Sequence, residues 1–227
     1  MANQTFLQLA QAVYREGGIS GQITSTLNQN GEALRVVGWV RNAYKEILND
    51  QGMVWKFLRK TAAVQLTPGI GDYSFDDLNL AGAVQWDTRS MRVAVNANLS
   101  DETFLNHMSF NAFRDYWLFS SRRTTQSRPL NVAVDNDTHL RIAPLPEQAY
   151  WLSLQYQVMP DTLADPTDVS ILPERFDDAI VWRALRHYGM FEAAPEVVSR
   201  AELAYKEVMQ HMEFDQAPEV CIGGPIC

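Results

Sequence analysis

Cysteine is nearly absent from this 227-residue chain: only Cys221 and Cys227 occur, both among its last seven residues. Neither is placed to staple a core, and two reduced thiols are the expected state. No apolar run approaches the roughly 20 residues needed to cross a bilayer. Met1-Ala2-Asn3-Gln4 lacks the basic-then-apolar order of a signal peptide, so an intracellular product is expected. Positive charge is also short. With 19 Lys+Arg against 27 Asp+Glu the net charge is −8, which argues against a protein whose main task is gripping nucleic acid. An acidic surface repels phosphates, and so is compatible with DNA passing nearby.

Catalytic and ligand-binding signatures are equally scarce. No Gly-rich stretch leads into Lys-Ser/Thr, and Gly69-Ile70-Gly71 falls in a strand turn, not at a strand-to-helix junction. His107, His139, His187 and His211 are scattered, without a His-Glu-x-x-His pair for zinc. Gly18-Ile19-Ser20-Gly21 lacks the spacing of a nucleophile elbow. Asp135-Asn136-Asp137 starts like a calcium loop, but its twelfth position is Pro146; the loop of Asp161, Asp165 and Asp168 fails in the same way at Leu172. Turn-forming Asx residues are the heavier reading, with a weak cation site left open at either loop. Asp177 and Asp178 point about 100° apart on a helix and do not converge on one substrate. No enzymatic role and no cofactor are expected.

What is present is an ordinary globular composition, 46% hydrophobic and 20% charged, with length for one large domain or two small ones. Thr5-Phe6-Leu7-Gln8 reads as a capping box, Phe6, Leu9, Ala10 and Val13 have helical spacing, and Gly17-Gly18 ends that helix. A second helix is predicted from near Glu32, with a stripe running from Ala33 to Leu48 and Gly52 closing it. Met53 to Leu58 adds a short turn. Beyond Arg59 the period changes to two: Ala62, Val64 and Leu66, a turn at Pro68 to Asp72, then strands at Tyr73–Phe75, Ala83–Asp87 and Met91–Val95. Phe104 to Phe119 reads as an aromatic helix face. A meander follows through Val132, Val134, Leu140 and Ile142. It ends in Tyr150, Leu152, Leu154, Tyr156 and Val158, whose strict alternation buries one face.

The stretch from Asp161 to Met212 carries the clearest punctuation. Pro173 is predicted to open a helix, Glu174, Asp177 and Asp178 face its positive end, and Arg183, Arg186 and His187 its negative end. Gly189 reads as its stop and Pro195 as the start of the next helix. Apolar residues from Phe176 to Tyr188 wrap well past one face, which predicts a second contact, with another subunit as the expected partner. Phe176, Val181, Trp182 and Leu185 are the candidate interface residues there. Val197, Ala201, Ala204, Tyr205, Val208 and Met212 form a single stripe on the last helix. Ser120 to Arg128 is the one basic island, and Arg122, Arg123 and Arg128 are either solvated or an intersubunit ion-pair site. Residues 216–227 carry two prolines and two glycines without periodicity, and read as a tail. The order of elements is that of an α+β fold: helical parts at 1–58 and 172–215 bundle together, and residues 59–171 form an antiparallel β insertion.

In their joint order these patterns resemble the head-to-tail adaptor (connector, or head-completion) proteins of tailed bacteriophages. The resemblance rests on Gly31-Glu32, Arg35-Val36-Val37, Trp39-Val40, Ala43-Tyr44, Ile47-Leu48 and Trp55-Lys56-Phe57-Leu58 near the start. Near the end it rests on Tyr156, Pro160, Leu163, Leu172-Pro173, Phe176, Ile180-Val181, Ala184-Leu185, Tyr188 and Tyr205 to Met212. It implies a virion protein of the neck, assembled in the host cytoplasm into a ring, commonly dodecameric, beneath the portal protein. Such a ring extends the channel through which DNA leaves and presents a platform for tail proteins, with DNA only transiently inside and no membrane contact. The resemblance also implies a C-terminal arm along the portal, for which Val220, Cys221, Ile222, Pro225 and Ile226 are the available anchors. Another neck or tail-completion ring component is the nearest alternative, and a phage-encoded hydrolase a more distant one.

Overall fold

The computed structural model describes residues 3–49, 55–97, 99–159 and 162–216, which fall into two compact units. The fold class is α+β. One unit joins residues up to Phe57 with those from Pro160 onward; the other runs from Leu58 to Met159.

The helical unit contains α1 (Phe6–Gly17), α2 (Gly31–Leu48), α4 (Asp178–Phe191) and α5 (Pro195–Gln216). Thr5 and Gln8 form the expected capping box, and Gly18 closes α1 in the left-handed conformation at φ 64°. Phe6, Leu9 and Val13 of α1, with Val36, Val40 and Ile47 of α2, lie in the core as their periodicity predicts. Trp55 is buried and donates its indole N–H to the Ile47 carbonyl at 3.2 Å. Gly52 and the first residues of the expected 53–58 turn lie outside the described residues; Lys56–Leu58 is a 3-10 turn.

α4 begins later and runs further than the sequence predicts. Pro173 precedes a 3-10 turn at Glu174–Phe176, and α4 starts only at Asp178. Asp177 does not sit at the helix start as a solvated dipole partner. It is fully buried, and its carboxylate accepts the Gln4 backbone N–H at 2.7 Å and the Ser170 hydroxyl. Asn3 adds bonds to the Ser170 and Leu172 carbonyls, so the N-terminal segment is tied to the approach to α4. Gly189 is not a stop either, because α4 continues to Phe191. Its role is tertiary: a Cβ there would lie 2.9 Å from Val198 Cγ2 and 3.2 Å from Val197 Cβ on α5. Glycine lets the two helices approach. With the helix extended, Arg183, Arg186 and His187 sit before its last turn, and Arg183 pairs with Glu46 and Arg186 with Glu202.

The β unit holds β1 (Arg59–Gln65), β2 (Asp72–Tyr73), β3 (Ala83–Ala94), β4 (Thr103–Phe104), β5 (Asn106–His107), α3 (Phe110–Trp117), β6 (Asn131–Val134), β7 (Leu140–Ala143) and β8 (Trp151–Val158). Two four-stranded sheets result, in the orders β1-β8-β3-β4 and β2-β7-β6-β5. All pairings are antiparallel except β5 with β6. Their inner faces share one apolar core that includes Leu66, Trp86, Met91, Val132, Ile142 and Leu154. β8 alternates strictly, with Leu152, Leu154, Tyr156 and Val158 buried as predicted.

Two expectations change in this unit. The separate strands predicted at 83–87 and 91–95 are one strand, β3, whose pairing with β8 shifts register between Asp87 and Arg92. The aromatic helix predicted from Phe104 starts only at Phe110, where Ser109 caps it by accepting from the Ala112 N–H. Residues 103–107 instead pair with β3 and β6 as short strands.

Candidate docking surface

Within the helical unit, α4 packs against α1, α2 and α5. This accounts for the wide apolar arc of α4 without a second subunit: Phe176, Val181 and Leu185 are core residues of their own unit. Trp182 alone among the four candidates is half-buried, and so has surface to offer. The unit shows its apolar exposure elsewhere. Of the stripe predicted on α5, Ala201 and Met212 are buried and Val197, Ala204, Tyr205 and Val208 half-buried, while Met209, outside that stripe, is also buried. Leu203 and Phe214 lie off that stripe, 75% and 93% exposed. At about 100° per residue, Phe214 points some 160° away from Met212 and nearly the same way as Leu203.

The basic island divides. Arg128 is half-buried and structural: its guanidinium pairs with Asp101 at 3.3 Å and donates to the Val93 carbonyl at 3.0 Å. Backbone N–H groups of Val95 and Asn96, together with Arg128, hold the Asp101 carboxyl below its usual pKa despite partial desolvation. Arg122 and Arg123 stay exposed on a 3-10 turn, Ser120–Thr124. The Arg122 guanidinium stacks 4.2 Å from the Tyr116 ring centre, and Arg123 donates to the Leu118 carbonyl at 2.7 Å. Among the described residues neither has a carboxylate partner.

These two arginines stand at a cleft of about 230 Å³ lined by Phe113, Trp117, Leu118 and Leu145. α3 is anchored beside it by the buried Phe113 ring and by the Trp117 indole, which donates to Asn131 Oδ1 at 3.2 Å. Gly71 lies in the lining because nothing larger fits: a Cβ would come within 2.5 Å of the Ile142 carbonyl oxygen. The sequence offered the aromatic helix face and the arginines as separate features. Their union with Gly71 and Leu145 depends on sheet pairing, which no local pattern encodes.

The acidic loops are turns. Asp135 accepts from the backbone N–H of Asp137 and His139 and pairs with Arg141 at 2.7 Å. Burial pushes its carboxyl up, but Arg141 and the backbone donors outweigh that and hold it below the usual range. Asp72, Asp135 and His139 each bring one donor atom within 4.8 Å of the others. Arg141 already serves both carboxylates there, reaching Asp72 at 2.6 Å. Asp168 accepts from the Ala164 and Asp165 N–H groups and so closes its own loop; Asp161 lies outside the described residues. So do the candidate anchors Val220, Cys221, Ile222, Pro225 and Ile226. No described helix is long and apolar enough to cross a membrane.

A search of curated proteins found no match. The sequence profile of the SU10 adaptor protein family, by contrast, matches residues 4–218, which takes in every described helix and strand. With the match covering nearly the whole chain and drawing on both units, the chain belongs to the SU10 adaptor protein family.

Proposed function

We propose that the chain is a head-to-tail adaptor of a tailed bacteriophage: a virion protein of the neck that forms a ring, dodecameric in this reading, under the portal. The ring extends the DNA channel and offers tail or nozzle proteins their attachment platform. The observation that carries the reading is the family match over residues 4–218, which spans both units. Net charge of −8 supports a channel component that lets DNA slide past. The role is structural, not enzymatic, in keeping with an adaptor family. Trp182, Arg122 and Arg123 serve as subunit or portal contacts, and Val220, Cys221, Ile222, Pro225 and Ile226 as portal anchors. Electron microscopy of the purified protein, alone and mixed with portal, is the test. Rings or portal-dependent assemblies support the adaptor; a chain that stays a monomer and ignores portal contradicts it.

A further inference from the structure

We infer that the protein self-associates head to tail, with Phe214 of one copy seated in the Arg122/Arg123 cleft of the next. This inference rests on the ring reading and gives it a specific contact. Phe214 is the most exposed of the large apolar side chains described, at 93%, on the outer face of α5. It stands between Glu213 and Asp215. An aromatic ring left in water between two carboxylates has apolar area to bury and negative charge to pair.

The cleft is its complement. Phe113, Trp117, Leu118 and Leu145 supply apolar and aromatic walls, the lining carboxylate Asp72 is already paired with Arg141, and the two exposed lining arginines are free of carboxylates among the described residues. Its size is sufficient: a cavity of about 150 Å³ accepts a benzene ring, and this one measures about 230 Å³. Glu213 is the natural partner for Arg122 and Arg123, since Asp215 is already held by Arg175. Tyr, Phe, Trp and Arg are also the residue types that dominate binding energy at interfaces. Knob and cleft are different surfaces, so in the head-to-tail arrangement each contact leaves one knob and one cleft unfilled for further copies, whereas a reciprocal two-fold arrangement fills both. Repeated head-to-tail contacts close into a ring or continue as a filament, whereas a two-fold contact stops at a dimer.

The test uses the full chain. Phe214 is replaced by photoreactive benzoylphenylalanine in a mixture of light and heavy-isotope protein. Irradiation should join position 214 to the segment 113–123 or to Leu145, with mixed-isotope adducts. In parallel, Phe214→Ala and the pair Arg122→Glu/Arg123→Glu should each weaken self-association at least about tenfold by sedimentation, with unchanged circular dichroism. Mixing the two variants should restore a pair and nothing larger, because each supplies one intact half. Adding Glu213→Arg to the double-Glu variant should recover part of the loss. Adducts confined to one chain would overturn the inference. An oligomer cross-linked elsewhere would overturn it too and leave the ring reading standing. A chain that remains monomeric alone and with portal would overturn both.

Discussion

Asp177 is a carboxylate with no cation paired to it among the described residues, buried under the N-terminal segment it holds. Burial raises its pKa; the Ser170 hydroxyl and Gln4 N–H oppose the rise, and Asp178 and Glu174 add to it. A folded-state pKa above the unfolded one means the native state binds more protons in the interval between them. The stability Asp177 contributes is therefore complete below the unfolded value and is lost as pH rises through the folded one. Asp101, Asp135 and Asp168 have depressed pKa values and act with the opposite sign, losing stability as pH falls. Asp177→Asn separates the two effects. Its amide can still accept from Gln4 and donate to Ser170, so the fold should hold. Denaturant unfolding should show the variant gaining on the wild type as pH rises from acid to neutral. A gap independent of pH would mean that the buried carboxyl titrates normally. Asp177 also shows where local reading stops: beside Asp178 it looks like a first-turn carboxylate, and only the return of residues 3–5 explains its burial.

The same contrast separates helices whose ends are local from those whose limits are tertiary. α1 is legible because Thr5, Gln8 and Gly18 meet its capping needs within a few residues, and β8 because alternation is a property of the strand itself. α4 is not, since Gly189 looks like a stop but exists for Val198 on the next helix. Two glycines make this measurable. Gly189→Ala gains helix propensity of up to about 1 kcal/mol but forces a methyl against Val198, an overpacking cost of about 1–3 kcal/mol. Net destabilisation of about 1 kcal/mol is expected. Gly38, inside α2, has nothing within 4 Å of a new Cβ. Gly38→Ala should therefore raise stability by about 0.5–1 kcal/mol. Thermal unfolding of both variants decides it; equal shifts would mean that the α4–α5 approach does not depend on glycine. The segment 217–227 poses a separate question at this scale. Its Val220, Ile222 and Ile226 are apolar, while Pro218, Gly223, Gly224 and Pro225 disfavour regular structure. Removing it should leave the melting temperature unchanged and reduce recovery with portal in a pull-down. Equal recovery would show that the anchor lies elsewhere.

At the scale of the molecule, charge and assembly are the decisive properties. Arg122 and Arg123 have no carboxylate partner among the described residues, but an acidic chain can neutralise few phosphates, so duplex DNA should bind weakly and lose affinity quickly as salt rises. Tight binding at physiological salt, abolished by Arg122→Ala/Arg123→Ala, would make the cleft mouth a nucleic-acid site instead. The α+β class was legible from the order of periodicities, while the docking cleft was not, because Gly71, Trp117, Arg122 and Leu145 meet only through sheet pairing. The central claim concerns what many copies build together. Cryo-electron microscopy of the full-length protein mixed with its portal tests it most directly. The account predicts a closed ring of this chain, coaxial with the portal and open along its axis. Portal particles that remain bare at saturating concentrations of the protein would contradict it.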